Sequence, residues 1–192
     1  MVRAILDGRK TQTRRVVKWS LKPLVPDFSK AWIDPGGTDI WGPGPYLKVP
    51  CEHPADGPDG RVNRVFCPYG VAGDQLWVKE TFCKDGDKIA FRDDGWIGCP
   101  SDDGKWTPSI FMPRAASRIQ LEVTEVRVQR VQEISEEDAI AEGVEGHRPS
   151  VVDGRMYRRP YEILWDSINA KRGFGWAVNP WVWAITFRRI RP

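Results

Sequence analysis

Hydrophobic positions fall into distinct rhythms along the chain. At the start, Val2, Ala4 and Ile5 form a short helical stripe. Gly8 stands where a helix-ending, left-handed residue belongs. Residues 118–131 alternate instead: Ile119, Leu121 and Val123 share one phase, Val126 and Val128 the other. Period-two alternation predicts a strand, and the phase slip at Thr124-Glu125 predicts a bulge or tight bend. Trp181–Ile190 begins apolar on both phases, which predicts a central strand. DQLWVKETF (74–82) predicts a strand opening from a Gly-Asp turn, and KIAFR (88–92) a short one ended by Asp93-Asp94-Gly95. Ser135 predicts an N-cap, with Glu136, Glu137 and Asp138 in the first turn, Ile134 stapled onto Ala139, and Gly143 at the end. A second helix over 160–170 places Tyr161, Leu164, Trp165 and Ile168 on one face. Hairpin-rich strands with short helices between them predict an α+β fold, a small antiparallel barrel with helices outside.

Residues 20–65 break this grammar. Nine of the sixteen prolines lie between Ser20 and Gly73, with Gly-Gly, Gly-Pro-Gly-Pro and Asp-Gly-Pro-Asp-Gly turn signals. The stretch reads as one irregular insertion without a core of its own, of a length often used as a lid. Trp32, Trp41, Tyr46 and Phe66 nonetheless need packing partners. The whole chain of 192 residues is one domain's length, and its 41% hydrophobic content with ten Trp excludes a disordered chain. No apolar run approaches the ~20 residues of a membrane span, and no signal peptide stands at the start. The expectation is a soluble, cytoplasmic protein with no membrane partner. A net charge of +3 is too small to identify a nucleic-acid binder, so local arginine clusters matter more. Cys51, Cys67, Cys83 and Cys99 are spaced 16 apart without a CxxC pair, which predicts free thiols in a reducing cell and no metal site.

Familiar catalytic sets are missing: no glycine-rich phosphate loop, HExxH or GxSxG occurs. His53 and His147 fall in loop-like surroundings, so any chemistry rests on Lys, Glu, Asp, Thr or Cys. The run Gly8-Arg9-Lys10-Thr11-Gln12-Thr13-Arg14-Arg15 stands out. A neutral lysine activates a hydroxyl nucleophile, but its pKa of about 10.4 must first fall. Burial and neighbouring Arg9, Arg14 and Arg15 act in that direction. In a regular strand, Lys10 and Thr13 would point to opposite faces and meet only if the segment turns. The competing reading of the run is a basic turn that grips phosphate or solvent.

GRKTQTRR, CPYGVAGDQLWVKETF, SIFMPRAASRIQLEVTEVRVQRV and ISEEDAIAEGV together resemble the ASCH-domain family, in the long form of phages and prophages. The likeness covers residues 1–16 and about 66–192. It implies a single PUA-like β-barrel domain over 1–192, interrupted at about 20–65. Family members carry a short strand ahead of the first helix, whereas Met1 stands at that helix here. The resemblance therefore implies either an upstream start or an open barrel edge. Some small bacterial members are amidohydrolases that deacetylate N(4)-acetylcytidine with a Lys, a Thr and a Glu. The matching positions are Lys10, Thr13 and Glu142, with no cofactor or metal implied. Thr13 would attack the acyl carbonyl, Lys10 would act as base, and Glu142 would position the pair or pass a proton to the leaving amine. Backbone N–H groups of the Gly8–Thr11 turn are candidates to hold the oxyanion. Arg15, then Arg14 and Arg9, would contact substrate or phosphate; Tyr69 and Trp77 would stack a base. The expected partner is a pyrimidine nucleoside or nucleotide. ASCH domains are also proposed to bind RNA without catalysis, which is the alternative reading.

Overall fold

The computed structural model describes residues 1–18, 25–26, 28, 31–34, 46–52, 61–86, 88–100, 104–145 and 156–190. In chain order its helices are α1 (Val2–Leu6), α2 (Glu136–Ala141) and α3 (Arg158–Asn169). Its strands are β1 (Gln12–Val16), β2 (Val25–Pro26), β3 (Trp32–Asp34), β4 (Tyr46–Glu52), β5 (Arg61–Val65), β6 (Gln75–Trp77), β7 (Phe82–Asp85), β8 (Lys88–Phe91), β9 (Gln120–Arg130) and β10 (Trp181–Ile190). The architecture is α+β.

The main sheet is antiparallel in the order β1-β10-β9-β6 and curls into half a barrel. β10 lies inside it, and Val182, Trp183, Ala184 and Ile185 are all buried, as a strand covered on both faces requires. Thr186 pairs with Glu125 but Phe187 pairs with Val123. Thr124 is thus the extra residue of a bulge, which is why the apolar phase of β9 slips there. The two faces feed two cores. Trp183, Ile185, Val123, Val126 and Val128 form one cluster. Val182 joins Val131, Ile134, Ala139, Tyr161 and Trp165 in another, under α2 and α3.

The expectation of an irregular insertion over 20–65 is corrected by strands β2 to β5. β4 pairs with β2 and β3 along one edge and with β5 along the other. Leu47 and Val49 alternate onto one face of β4, are fully buried, and pack in the cluster of Trp183 and Ile185. Pro50 obscures this strand in the sequence. Pro50 has no partner in the β2 or β3 pairings and stands opposite Val62 of β5. Phe66, expected to pack, is 44% exposed. Trp41, His53 and His147 lie outside the described residues, as do the side chains of Trp32, Tyr46 and Cys51.

The single strand expected over 74–82 is two. β6 ends at Trp77, the chain swings across, and Phe82 starts a separate hairpin with β8. Glu80 sits in that crossover, fully buried, and its carboxylate accepts two hydrogen bonds from Arg118 at 2.8 and 3.0 Å. The ladder with β9 ends at Trp77, three residues before this buried carboxylate. The expectation of free thiols holds at Cys67 and is corrected at Cys83 of β7, which forms a disulfide with Cys99, their Cα atoms 6.3 Å apart. The return of the chain after Gly95, which adopts a left-handed φ of 90°, makes that approach.

α2 follows its grammar. Asp138 N–H donates to Ser135 Oγ at 3.0 Å, and Ile134 and Ala139 share a core cluster. Ser135→Ala is expected to cost about 1 kcal/mol by thermal or urea denaturation, the usual loss for an N-cap hydroxyl. On α3 the buried residues are Tyr161, Trp165 and Asn169, whereas Ile168 is 51% exposed. The apolar stripe read from the sequence therefore does not all enter the core. Leu164 and Ile168 face a cavity instead.

Candidate functional site

α1 ends through Gly8, whose φ is +73°, and the chain enters β1 along the outer edge of the main sheet. Lys10 precedes the strand and is buried at 5% exposure. Its Nζ donates to Glu142 Oε2 at 2.7 Å, to the Glu142 carbonyl at 2.8 Å and to the Gln12 carbonyl at 2.8 Å. All three ammonium protons are thereby used. Glu142 follows α2 and is itself 3% exposed. Two residues 132 apart in sequence thus form a desolvated ion pair. Burial pulls the Lys10 pKa down. The Glu142 charge and hydrogen bond push it back up, and the nearby Arg15 and Arg14 charges lower it further; the net position is below the ordinary lysine value.

Arg14, two residues along β1 from Gln12, points to the same face. Its side chain has no exposure at all. It donates to Asp138 Oδ2 at 2.6 Å, to Gln12 Oε1 at 2.6 Å and to Glu142 Oε1 at 3.4 Å. Arg127 of β9 donates to the other Asp138 oxygen at 3.2 Å. Burial alone would raise the Asp138 pKa, but Arg14 and Arg127 outweigh it and hold the carboxyl low. Arg14 also lies 5.9 Å from the ring centre of Tyr161, whose phenol is pushed well up, chiefly by burial and then by the Glu142 charge. Arg14 is therefore a positioning residue that ties β1 to α2 and α3.

β1 is a regular strand, so Thr13 projects to the other face from Gln12 and Arg14, opposite Ile185 in the register. No hydrogen bond joins it to Lys10, and its hydroxyl has no hydrogen-bond partner among the described residues. The closest link runs through the backbone, since the carbonyl that Lys10 holds belongs to the Gln12–Thr13 peptide. Thr13 and Glu142 do share a cavity of about 340 Å³ along the outer edge of β1. Arg14, Arg15, Tyr69 and Tyr161 line it too, and the α3 residues Leu164, Trp165, Ile168 and Asn169 form its far wall.

The structure separates the remaining candidates. Tyr69 and Arg15 reach the cavity. Arg9 does not line it; it is exposed and paired with Asp7 at 3.1 Å and Glu145 at 3.9 Å. Trp77 lies on β6 under the Lys79 ammonium, 5.1 Å from its ring centre, and does not line the cavity. In the Gly8–Thr11 turn, expected to hold the oxyanion, three of the four N–H groups are already engaged. Its Gly8, Lys10 and Thr11 N–H groups donate to the carbonyls of Ile5, Ala4 and Ala141 at 2.8–3.1 Å. Sequence reasoning missed Asp138, Gln12, Lys18 and Arg172. Asp138 carried a signal, because residues four apart on a helix share a face and Asp138 stands four before Glu142. Lys18 and Arg172 line the cavity from segments with no motif.

Among the described residues, no group of three or more His, Cys, Asp or Glu could hold a metal ion. No helix among them is long and apolar enough to cross a membrane. Comparison with family models, curated proteins and solved structures found no match.

Proposed function

We propose that this protein is an ASCH-type, PUA-like amidohydrolase that deacylates an N(4)-acylated cytidine-type nucleoside or nucleotide in the β1-edge cavity. The observation that carries the reading is the buried Lys10–Glu142 pair at 2.7 Å beside a cavity that Thr13 and Glu142 both line. A lysine and a carboxylate brought together from distant parts of the chain, away from water, can exchange a proton as one coupled unit. Transfer of one proton across the 2.7 Å contact from Lys10 to Glu142 would give the neutral amine that the attack requires. Neutral Lys10 takes the Thr13 hydroxyl proton as the oxygen attacks the acyl carbon, which requires Thr13 to rotate toward the edge of β1. Glu142 delivers its proton to the departing cytosine amine, and water then hydrolyses the acyl-threonine. Arg14 holds Glu142 and Asp138 in place throughout.

The test is turnover of N(4)-acetylcytidine to cytidine, followed by chromatography. Thr13→Ala removes only a half-buried hydroxyl without a hydrogen-bond partner, so stability should stay within about 0.5 kcal/mol while turnover is lost. Thr13→Ser should keep turnover. Activity retained by Thr13→Ala eliminates the threonine nucleophile. No turnover by folded wild-type protein removes the hydrolase reading and leaves RNA binding as its successor.

A further inference from the structure

We propose that the β1-edge cavity selects a nucleoside bearing a phosphate, so that the substrate class is a mononucleotide rather than a neutral nucleoside. The inference deepens the amidohydrolase reading and rests on it for the identity of the base, but not for the anion site itself. Arg15 and Lys18 bring two cations from β1 and the residue pair beyond it. Arg172 brings a third from the 3-10 turn that follows α3. All three side chains are exposed, and none has an ion-pair partner among the described residues. The other charged groups of the lining are already compensated. Glu142 is held by Lys10 and Arg14, and Arg14 by Asp138 and Glu142. Glu142 is also the lining's sole carboxylate. Among its side chains, the cavity thus presents three uncompensated positive charges and no uncompensated negative one. A neutral nucleoside would leave them facing water; a phosphate would satisfy them by charge-assisted hydrogen bonds.

The layout separates chemistry from charge. Thr13, Glu142 and Tyr161 belong to the stretch where Arg14 lies against Tyr161, near the start of α3. Lys18 lies five residues beyond Thr13, and Arg172 eleven beyond Tyr161, at the far end of the helix. The eight helical steps from Tyr161 to Asn169 span about 12 Å at 1.5 Å per residue. That length suits an acylated base at one end and a phosphate at the other. Tyr69, half-buried in the same lining, supplies a ring for the base. A volume of about 340 Å³ is at the small end of ligand pockets, which suits one nucleotide rather than a strand of RNA.

The experiment is calorimetric binding of the products, cytidine and cytidine 5′-monophosphate, which needs no turnover. Cytidine 5′-monophosphate should bind at least about tenfold tighter. Lys18→Gln combined with Arg172→Gln, both at exposed positions, should abolish that advantage and leave cytidine affinity unchanged. The same preference should appear in kcat/KM for N(4)-acetylcytidine 5′-monophosphate over N(4)-acetylcytidine. Equal binding of the two products, or an advantage that survives the double substitution, overturns the anion site even if deacylation is observed. Phosphate-dependent binding without deacylation keeps the anion site and removes the hydrolase. Binding of a cytidine-containing RNA oligomer with none of the mononucleotide overturns the inference in favour of a polymer.

Discussion

Lys10→Met should remove about 3–5 kcal/mol from the unfolding free energy in urea, while Lys10→Met combined with Glu142→Leu should restore most of it. The asymmetry follows from burial. The pair is 5% and 3% exposed, so its charges left water on folding and are compensated chiefly by each other and their hydrogen bonds, with Arg14 farther from Glu142. Methionine alone fills much of the lysine volume but leaves the Glu142 carboxylate inside, with Arg14 at 3.4 Å as its remaining cation. Leucine at 142 then removes the orphaned charge. Arg14 keeps its 2.6 Å contacts with Asp138 and Gln12, so the double variant strands no second ion. A loss of 3–5 kcal/mol is a large part of the 5–15 kcal/mol that a domain usually has. Midpoints must therefore be compared at unchanged m-values, so that residual structure is not mistaken for stability. A cost below about 1 kcal/mol for the single variant would show that water reaches the pair. The double variant also separates structure from chemistry, because it should fold and yet release no cytidine.

The parts of the fold legible in the sequence are those set by local rules. The bulge at Thr124 shows as a phase slip, because side chains alternate and one extra residue inverts the pattern. The cap at Ser135 shows because its hydroxyl serves the N–H three residues on. β4 is hidden in the sequence because Pro50 reads as a breaker, although the strand pairs with β5 through that position. The disulfide was hidden because sequence spacing does not reveal that Cys99 returns to Cys83. At the candidate site, the Lys10–Glu142 meeting came from family likeness, not from periodicity. Whether Lys10 and Thr13 meet stays open in the sequence, because a strand separates them and a turn joins them; the strand begins only at Gln12, and no hydrogen bond joins the two side chains. The clamp of Arg14 on Asp138 was missed because an acid in a first helical turn already has a sufficient local explanation in the helix dipole.

Two glycines offer a matched pair that isolates packing on Lys10 from backbone strain. Gly8 and Gly143 have φ values of +73° and +78°, so alanine is strained at both to a similar degree. An added Cβ at Gly8 meets nothing within 4 Å. At Gly143 it would lie 2.8 Å from Lys10 Cβ and 3.0 Å from Ala4 Cβ. Those atoms are the first carbons of their side chains, so relief requires the backbone of α1 or of the segment leading into β1 to move. Gly8→Ala should therefore cost about 1–2 kcal/mol, and Gly143→Ala about 1–3 kcal/mol more. The excess should carry a functional signature. Glu142 is the neighbour of Gly143, and a displaced Lys10 must lengthen one of its three hydrogen bonds to Gln12 or Glu142. Turnover of the acylated cytidine should then fall further in Gly143→Ala than in Gly8→Ala when both are assayed well below their melting temperatures. Asparagine tolerates the left-handed region, so Gly8→Asn should recover most of the stability lost at that site. Gly143→Asn should not, because its Cβ meets the same two atoms. Equal losses for the two alanine variants would mean that the α1–β1 turn yields freely, and that Lys10 is not held by packing against the end of α2.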